Sequence, residues 1–385
     1  MCIRDSKWCK RCVISNQRPR IIFNDEGICS GCLNTEYKNN EVDWEERERE
    51  LKDLLDSHRS KDGSWDVIVP SSGGKDSGYV AHQLRYEYGM NPLTVTWSPL
   101  SYTEIGRKNL QANIDCGLSN LLCTPNGRFQ KKLARLCFEE LGDAFHVFVM
   151  GQVSYPFHMA SKLGVKLVFY GENGEAEYAG DPGFADKPYK PSSEFLKQHF
   201  KGVPFKDLLN YGLKNTDYLS EEDFSDSDLI FYEPPSEEEL LKNGIKGKHF
   251  FSYYKKWTPQ ENYYYVVENC GFEPNPLRTE GTYSKYASLD DKMDGFHYYL
   301  RYIKFGLGRC MEDAGHEIRD GHLTREEAIA LMARYEGEFP KKYFNEFLEY
   351  LDITEDHFWD VVDSWRAKHL WEKVNNEWVF KHPIG

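Results

Sequence analysis

The sequence contains no long apolar run, and this absence excludes one class of protein. No stretch approaches the roughly 20 apolar residues that a helix needs to cross a bilayer, so we predict no membrane-spanning segment and no membrane partner. The first residues, among them Arg4, Lys7 and Lys10, include no apolar run of the signal-peptide type. We therefore expect a cytoplasmic protein, whose thiols remain reduced.

An excess of positive charge is also missing. The 385 residues include 48 Lys and Arg against 62 Asp and Glu, which gives a formal net charge of -14. A broad nucleic-acid-binding face needs clustered Lys and Arg, so we predict no nucleic-acid partner. The apolar share of 40% and the charged share of 29% are those of a soluble globular protein.

Four of the ten cysteines have the spacing of a metal site. Cys9 and Cys12 form one C-x2-C pair, and Cys29 and Cys32 form a second pair after a spacer of sixteen residues. A gap of two residues lets both thiolates of a tight turn bind one ion, and two such pairs complete a tetrahedral shell. We predict a structural Zn2+ site with no open position for chemistry. A redox or iron–sulfur role is the alternative.

A glycine-rich loop follows a short apolar run. Residues 66–70 are typical of a buried strand of a parallel sheet, and a segment compatible with a helix begins at Gly78. The residues between them, 71–77, are SSGGKDS. Strand, glycine-rich loop and helix together present backbone N–H groups to an anion. The loop lacks the Walker pattern GxxxxGK(S/T), which disfavours an NTPase of that type.

The loop resembles the SGGxDS motif of the PP-loop ATP pyrophosphatase superfamily, and every position of that motif is matched. Gly73 and Gly74 let the backbone wrap the β- and γ-phosphates, and Lys75 neutralises their charge. Asp76 is expected to hold Mg2+, a hard cation that prefers oxygen ligands. The residues assigned to ATP binding are Ser71, Ser72, Gly73, Gly74, Lys75, Asp76, Ser77 and Gly171.

Downstream of the loop, predicted strands alternate with predicted helices. Apolar runs predict strands over residues 92–97, 121–124 and 165–170. Apolar spacing predicts helices over residues 103–116, 129–141 and 146–163. We therefore predict an α/β fold with a doubly wound parallel sheet, whose ligand lies beyond the carboxyl ends of the strands.

An acidic segment, GENGEAE over residues 171–177, leaves the strand that ends at Tyr170. Glu172 or Glu177 could complete a Mg2+ shell with Asp76, and some PP-loop synthetases carry a glutamate at the position of Glu177. We assign Lys75, Asp76 and Glu172 to catalysis, and Asp76 with Glu177 to magnesium. A solvated acidic loop is the alternative for either glutamate.

The chain divides into four predicted regions. These are a zinc-knuckle module (1–43), an ATP-binding α/β domain (44–180), an insertion or lid (181–250) and a helical C-terminal substrate region (251–385). Residues 178–250 are rich in Pro, Gly and acidic residues and are expected to be irregular. Thr324 and Glu327 form a capping box that predicts a helix start.

Taken in order, the motifs resemble the N-acetyl sugar amidotransferase family (WbpG/PseA-like) of bacterial lipopolysaccharide O-antigen, surface-polysaccharide and flagellin-glycan biosynthesis. The matching segments are residues 9–13, 18–19, 72–77, 171–175, 257–262, 280–283, 286–292 and 302–306. The zinc knuckles or the loop alone indicate only a superfamily, whereas their order together with the C-terminal segments is far more selective.

The resemblance implies that ATP drives the conversion of an acetamido group of a sugar into an acetamidino group. The amide oxygen attacks the α-phosphorus, giving an O-adenylated imidate and pyrophosphate, and ammonia then displaces AMP. The resemblance also implies that a separate glutaminase subunit, with a barrel-type synthase-like subunit, supplies the ammonia.

Resemblance and charge together indicate a set of substrate-binding residues. Arg301, Lys304 and Arg309 are predicted to bind an anionic part of a nucleotide-linked or acidic sugar. Pairing with local carboxylates is the alternative for these three. The full set of predicted substrate residues is Glu280, Tyr283, Lys285, Tyr286, Arg301, Lys304 and Arg309.

Two other functions remain open. A PP-loop tRNA thiolase also combines zinc knuckles with this loop, but it needs catalytic cysteines near the ATP, and the sequence has no second C-x2-C arrangement outside the knuckles. A non-catalytic nucleotide-binding module is the third possibility. Sugar-dependent release of AMP and pyrophosphate distinguishes the three.

Overall fold

A computed structural model of the chain describes residues 6–191, 194 and 202–384. The strands are β1 (Val67–Pro70), β2 (Pro92–Trp97), β3 (Ser119–Cys123), β4 (Leu167–Tyr170), β5 (Tyr189–Pro191), β6 (Gly247–Phe250), β7 (Trp371–Val374) and β8 (Glu377–Phe380). The helices up to β4 are α1 (Ser30–Asn40), α2 (Trp44–His58), α3 (Lys75–His82), α4 (Glu104–Asp115), α5 (Gly127–Leu141) and α6 (His146–Leu163). The later helices are α7 (Gly174–Glu177), α8 (Pro182–Ala185), α9 (Phe205–Asn215), α10 (Asp226–Leu229), α11 (Glu237–Lys242), α12 (Phe251–Tyr254), α13 (Pro259–Cys270), α14 (Asp294–Phe305), α15 (Arg309–Asp320), α16 (Arg325–Tyr335), α17 (Phe344–Leu351) and α18 (Glu355–Trp365).

The main sheet has the strand order β3-β2-β1-β4-β6-β5. β1 runs parallel to β2 and β4, with Val67 opposite Pro92 on one side and Leu167 on the other. β3 and β6 continue the parallel pairing outward, whereas β5 runs antiparallel to β6. The strand order reverses direction at β1, as in a doubly wound sheet, so the predicted α/β fold is confirmed.

β1 is buried because it packs against apolar cores on both faces of the sheet. Ile68 belongs to a core formed with α5 and α6, whereas Val67 and Val69 belong to a second core formed with α2 and α3. Successive side chains of a strand point to opposite faces, so a strand covered on both faces has a continuous apolar run. This is the pattern from which the sequence predicted the strand.

The segment 178–250 is more regular than its composition predicts. β5 and β6 lie inside it and extend the main sheet beyond β4, and α9 places Leu208 and Leu209 in the core with α5 and α6. The expectation of irregular chain was wrong because β6, with the sequence Gly-Lys-His-Phe, is too short and mixed to show a strand period. Residues 192–193 and 195–201 of the predicted insertion lie outside the described residues.

The C-terminal part of the chain is mainly helical, as predicted. The capping box is present at the start of α16, where Thr324 accepts a hydrogen bond from the Glu327 amide and Glu327 accepts one from the Thr324 amide. β7 and β8 form a small antiparallel hairpin after the last helix. Among the described residues, no helix combines the length and apolar character needed to span a membrane.

The N-terminal knuckle module packs against the C-terminal helices. Val13 and Ile14 share an apolar cluster with Met311 of α15 and Met332 of α16. Arg325 adds a hydrogen bond from its Nε to the carbonyl oxygen of Cys12 at 3.2 Å. The two ends of the described chain therefore form one packed unit on the side of the α/β domain.

Candidate active site

A cavity of about 390 Å³ lies at the carboxyl ends of the parallel strands. Pro70 at the end of β1, Trp97 at the end of β2 and Tyr170 at the end of β4 form one part of its wall. Side chains from α14 and from the start of α15 form the opposite part. This is the position at which a doubly wound sheet binds its ligand.

The SSGGKDS loop joins β1 to α3 on the wall of this cavity. The Oγ atoms of Ser71 and Ser77 lie 3.0 Å apart, and the Gly73 amide donates to Ser71 Oγ at 3.2 Å. Gly74 is the N-cap of α3, and no capping side chain accepts a hydrogen bond from the first amides of this helix. The first amides of α3 are therefore available to an anion such as a phosphate.

Gly73 occupies a position that only glycine fits without strain. Its φ is +87°, and a Cβ atom built there would lie 2.6 Å from the backbone nitrogen of Leu110. The loop therefore turns directly against α4, and no side chain comes between them.

Gly73→Ala should weaken ATP binding and destabilise the fold by about 1–3 kcal/mol, because it combines a left-handed φ with a backbone clash. ATP titration calorimetry and urea unfolding measure the two effects. Gly89→Ala is the matched control, because Gly89 also has a positive φ of +61° but its Cβ would meet nothing within 4 Å. Equal losses in the two variants would show that the contact with Leu110 is unimportant.

Lys75, Asp76 and Glu172 meet beside the loop. Lys75 Nζ lies 2.5 Å from Asp76 Oδ2, and Asn262 Nδ2 donates to Asp76 Oδ1 at 3.3 Å. Burial, and next the negative charge of Asp76, raise the pKa of Glu172. A carboxylate pair of this kind fits a hard cation, which would relieve the repulsion between the two groups.

Glu177 lies away from this pair. Its Oε1 is 2.5 Å from Lys38 Nζ of α1, and it lines a separate small cavity beside Trp44. The turn of α7 carries Glu177 toward α1, so the structure places Glu172, and not Glu177, beside Asp76. The magnesium role of Glu177 stays a prediction, and the position of this side chain beside Lys38 does not support it.

Two of the predicted substrate residues lie at or near the cavity. Arg309 lines it, with its Nε donating to Asp313 at 3.0 Å and its Nη1 donating to the hydroxyl of Tyr298. The ring of Tyr286 lies 5.8 Å from Lys75 Nζ and stacks on Tyr263 at a centroid distance of 4.4 Å.

Arg301 and Lys304 have structural contacts instead. Arg301 donates to Glu312 at 2.9 Å and to two backbone carbonyls at the start of α15, each at 2.8 Å. Lys304 Nζ donates to the carbonyl oxygen of Leu141 at 2.9 Å, at the end of α5. Both residues therefore make local contacts within the protein, which was the alternative to substrate binding. The sequence shows that they are basic but does not show which face of the helix points to the cavity.

The other three predicted substrate residues lie outside the cavity wall. Glu280 accepts hydrogen bonds from the amides of Lys341 and Lys342 and borders a second cavity of about 450 Å³. Tyr283 packs beside the apolar cluster under the knuckle module, and burial raises its pKa. Lys285 is exposed.

Several residues of the cavity wall were not predicted. They include the acidic and polar residues Asp290, Asp294, His297 and Tyr298 and the aromatic residues Phe145, Phe148 and Tyr178. Burial raises the pKa of Asp290 to about 6. Asp290 and Asn262 do fall inside segments 286–292 and 257–262, which carried the family resemblance. No local sequence pattern indicated that their side chains point toward the cavity.

The four knuckle cysteines lie together and are buried. Their sulfur atoms all lie within 4.8 Å of one another, with Cys12 and Cys29 3.6 Å apart and Cys9 and Cys32 4.0 Å apart. A tetrahedral ion with metal–sulfur bonds of about 2.3 Å requires sulfur separations of about 3.8 Å. The backbone amide of Cys29 also donates to Cys9 Sγ at 3.3 Å, as it would to a thiolate. The four residues therefore fit a single metal ion.

The parallel sheet, the SSGGKDS loop and the cavity at the strand ends define an α/β protein of the PP-loop type. Residues 280–383 match the family model described as LPS biosynthesis protein WbpG-like, C-terminal domain. Over these residues the chain is similar to the WbpG-like C-terminal domain, which agrees with the WbpG-like part of the resemblance found in the sequence.

Three individual proteins show weaker similarity. An uncharacterized protein of Methanocaldococcus jannaschii is 33% identical over 89 residues, which are 23% of this chain and 31% of that protein's length. The U34-tRNA thiolase NcsA from Methanococcus maripaludis, solved with its 4Fe-4S cluster, is 12% identical, with a TM-score of 0.31 over 89% of this chain and 96% of that one. NMN synthetase from Francisella tularensis is 14% identical, with a TM-score of 0.24 over 53% of this chain and 92% of that one. The fold assignment rests on the strand order and not on these two structures.

Proposed function

We propose that the protein is an ATP-dependent enzyme of surface-polysaccharide biosynthesis that converts an acetamido group of an N-acetylated sugar into an acetamidino group. The observation that carries the proposal is the SSGGKDS loop, with Asp76 and Glu172 beside it, in one cavity of a chain whose C-terminal domain is WbpG-like. The products besides the amidino sugar are AMP and pyrophosphate.

The loop side of the cavity binds the nucleotide. The first amides of α3 and the hydroxyls of Ser71 and Ser77 donate to the phosphates, and Lys75 neutralises part of their charge. Asp76 and Glu172 would hold Mg2+, which supplies further positive charge as pyrophosphate leaves. An amide oxygen placed in line with the α-phosphorus then attacks it. Binding both reactants in one cavity makes this step effectively unimolecular and so lowers its entropic cost.

The helical side of the cavity binds the sugar. Arg309 offers a guanidinium to an acidic group of the substrate, and this geometry suits both a carboxylate and the phosphate of a nucleotide carrier. Trp97 and Phe148 offer apolar faces to sugar rings or to a base. Ammonia is proposed to come from a glutaminase subunit that acts with a barrel-type partner.

The knuckle module is proposed to hold one structural zinc ion. A cluster would place several iron and sulfide atoms between the thiolates, so sulfur atoms within 4.8 Å of one another favour a single ion. All four ligands come from the protein, which leaves no open position for chemistry.

The positions of the cysteines favour the amidotransferase over a tRNA thiolase. Among the described residues, no cysteine lines the cavity that contains the loop. Cys116 and Cys270 lie near each other, but they belong to a different region, around the end of α4 and α13. A thiolase would need a cysteine at the reacting atoms.

The direct test uses purified protein, Mg-ATP, ammonium chloride and a panel of nucleotide-linked N-acetyl sugars and nonulosonic acids. Mass spectrometry is expected to show one oxygen of a sugar replaced by NH, together with AMP and pyrophosphate. AMP released on addition of tRNA, and not of any sugar, would overturn the proposal in favour of the thiolase. Efficient use of glutamine by this chain alone would contradict the separate glutaminase.

Arg309→Ala should raise the KM for an acidic sugar about 10- to 100-fold, because it removes a charge-assisted contact. The KM for ATP should change little, since the loop side of the cavity is intact. Steady-state kinetics of AMP release measure both constants. Lys304→Ala is the control, because Lys304 also lies on the C-terminal helices but contacts the end of α5. Unchanged sugar KM in Arg309→Ala would show that the anion is bound elsewhere.

A further inference from the structure

His297 and Asp143 form a pair in the cavity wall that the steps described above do not use. His297 Nδ1 lies 3.0 and 3.1 Å from the two carboxylate oxygens of Asp143. Asp143 is buried in the turn between α5 and α6, whereas the His297 side chain keeps 24% of its surface and lines the cavity.

This geometry fixes both the orientation and the tautomer of the imidazole. A carboxylate that accepts from Nδ1–H leaves the lone pair on Nε2, which is the arrangement of a general base. The rings of Phe145 and Tyr298 flank the imidazole at 5.5 and 5.2 Å and restrict its rotation. Among the described residues, none forms a hydrogen bond to His297 Nε2.

The proposed reaction requires a base in its second half. When ammonia attacks the carbon of the O-adenylated imidate, a C–N bond forms and the attacking nitrogen becomes positively charged. One proton must leave this nitrogen before the C–O bond breaks, AMP departs with the oxygen and its electron pair, and the amidinium remains. The overall conversion of amide, ammonia and ATP therefore releases one proton.

We propose that His297 accepts this proton at Nε2 and passes it to solvent, with Asp143 as its positioning residue. The inference rests on the proposed function. The other acidic groups of the cavity have acidic neighbours of their own: Glu172 faces Asp76, and Asp294 lies close to Asp290, which accepts a hydrogen bond from Ser72 of the loop. His297 is thus the base that lies on the sugar side of the cavity, near Arg309.

The experiment separates the two halves of the reaction in His297→Gln, in which the Gln amide can still donate to Asp143. Without ammonia, sugar-dependent exchange of labelled pyrophosphate into ATP reports adenylation. With ammonium chloride, single-turnover formation of the amidino sugar reports the second half. We expect exchange within about threefold of wild type and amidino-sugar formation reduced about 100-fold or more. Equal losses in both halves, or no loss in either, would overturn the role of base.

His357→Gln is the control, because His357 also pairs with a carboxylate, through Nε2 and Glu139 at 2.9 Å, but lies outside the cavity. Both half-reactions should be unchanged in it. Asp143→Asn should slow only the second half, and His297→Gln should add little to that loss, because the two residues act as one unit. If wild-type protein shows no sugar-dependent exchange with any member of the panel, this result contradicts the proposed function. The assignment of His297 is then decided by the NMR measurement below.

One readout needs no sugar at all. Nitrogen-15 NMR of the histidine ring should show His297 as the Nδ1–H tautomer in wild type and a changed tautomer population in Asp143→Asn. An Nε2–H tautomer in wild type would overturn the proposal, because Nε2 would then have no lone pair to offer.

Discussion

Asp76→Asn should reduce sugar-dependent AMP release by about 1,000-fold, which corresponds to about 4 kcal/mol of transition-state stabilisation. The substitution keeps the size of the side chain and can keep a contact with Asn262, but it removes a negative charge beside Glu172. A cation bound between the two carboxylates would then have one negatively charged ligand from the protein in place of two. Initial rates measured over a range of Mg2+ concentrations should show that excess Mg2+ restores part of the activity.

Asp115→Asn provides the control for this variant. Asp115 lies exposed at the end of α4, where it accepts a hydrogen bond from Gln111 at 2.8 Å, and it is not one of the residues that line the cavity. Its rate and Mg2+ dependence should match those of wild type. Glu172→Gln should resemble Asp76→Asn, and Glu177→Gln should not. A large loss in Glu177→Gln with little loss in Glu172→Gln would indicate that Glu177, and not Glu172, binds magnesium.

Cys12→Ser should abolish stable metal binding and destabilise the protein by roughly 5 kcal/mol, because a structural zinc site contributes its binding energy to folding. The loss should extend to AMP release, since the knuckle module packs on α15, which begins with Arg309. Metal content by mass spectrometry, thermal unfolding and AMP release measure the three effects. Addition of a strong zinc chelator to wild-type protein should reproduce them.

Cys123→Ser separates loss of the metal from loss of a thiol. Cys123 is half-buried at the end of β3 and takes no part in the four-cysteine set. This variant should retain its metal, and its free energy of unfolding should fall by about 1 kcal/mol or less. A Cys12→Ser protein that keeps one metal ion and normal activity would contradict the structural role.

The sequence predicted those features that a few neighbouring residues determine. The loop at 71–77 needs consecutive glycines and a following helix, and the cysteine pairs need only a two-residue gap, so the structure has a loop before a helix and a four-cysteine cluster at the predicted residues. β2 was predicted over residues 92–97 and matches its observed bounds, because its β-branched and aromatic residues favour a strand.

The features that were missed depend on which way a helix or turn faces in the folded chain. Arg301 and Lys304 lie one turn apart on α14, yet they contact α15 and the end of α5, respectively. Glu172 and Glu177 are separated by the short α7, which turns the second glutamate toward α1. His297 and Asp143 are 154 residues apart, and no pattern in the sequence relates them.

The packing of the knuckle module sets a limit on how small an active version of this protein can be. Arg20 pairs with Glu175 at 2.8 Å and Lys38 pairs with Glu177 at 2.5 Å, both in the segment that follows Glu172. Arg18 pairs with Glu312 at 2.6 Å on α15. A fragment that begins at the ATP-binding domain would remove one cation from each of three buried carboxylates and would expose Met311 and Met332. Transplanting the loop-bearing domain into another enzyme would therefore require the knuckle module to accompany it.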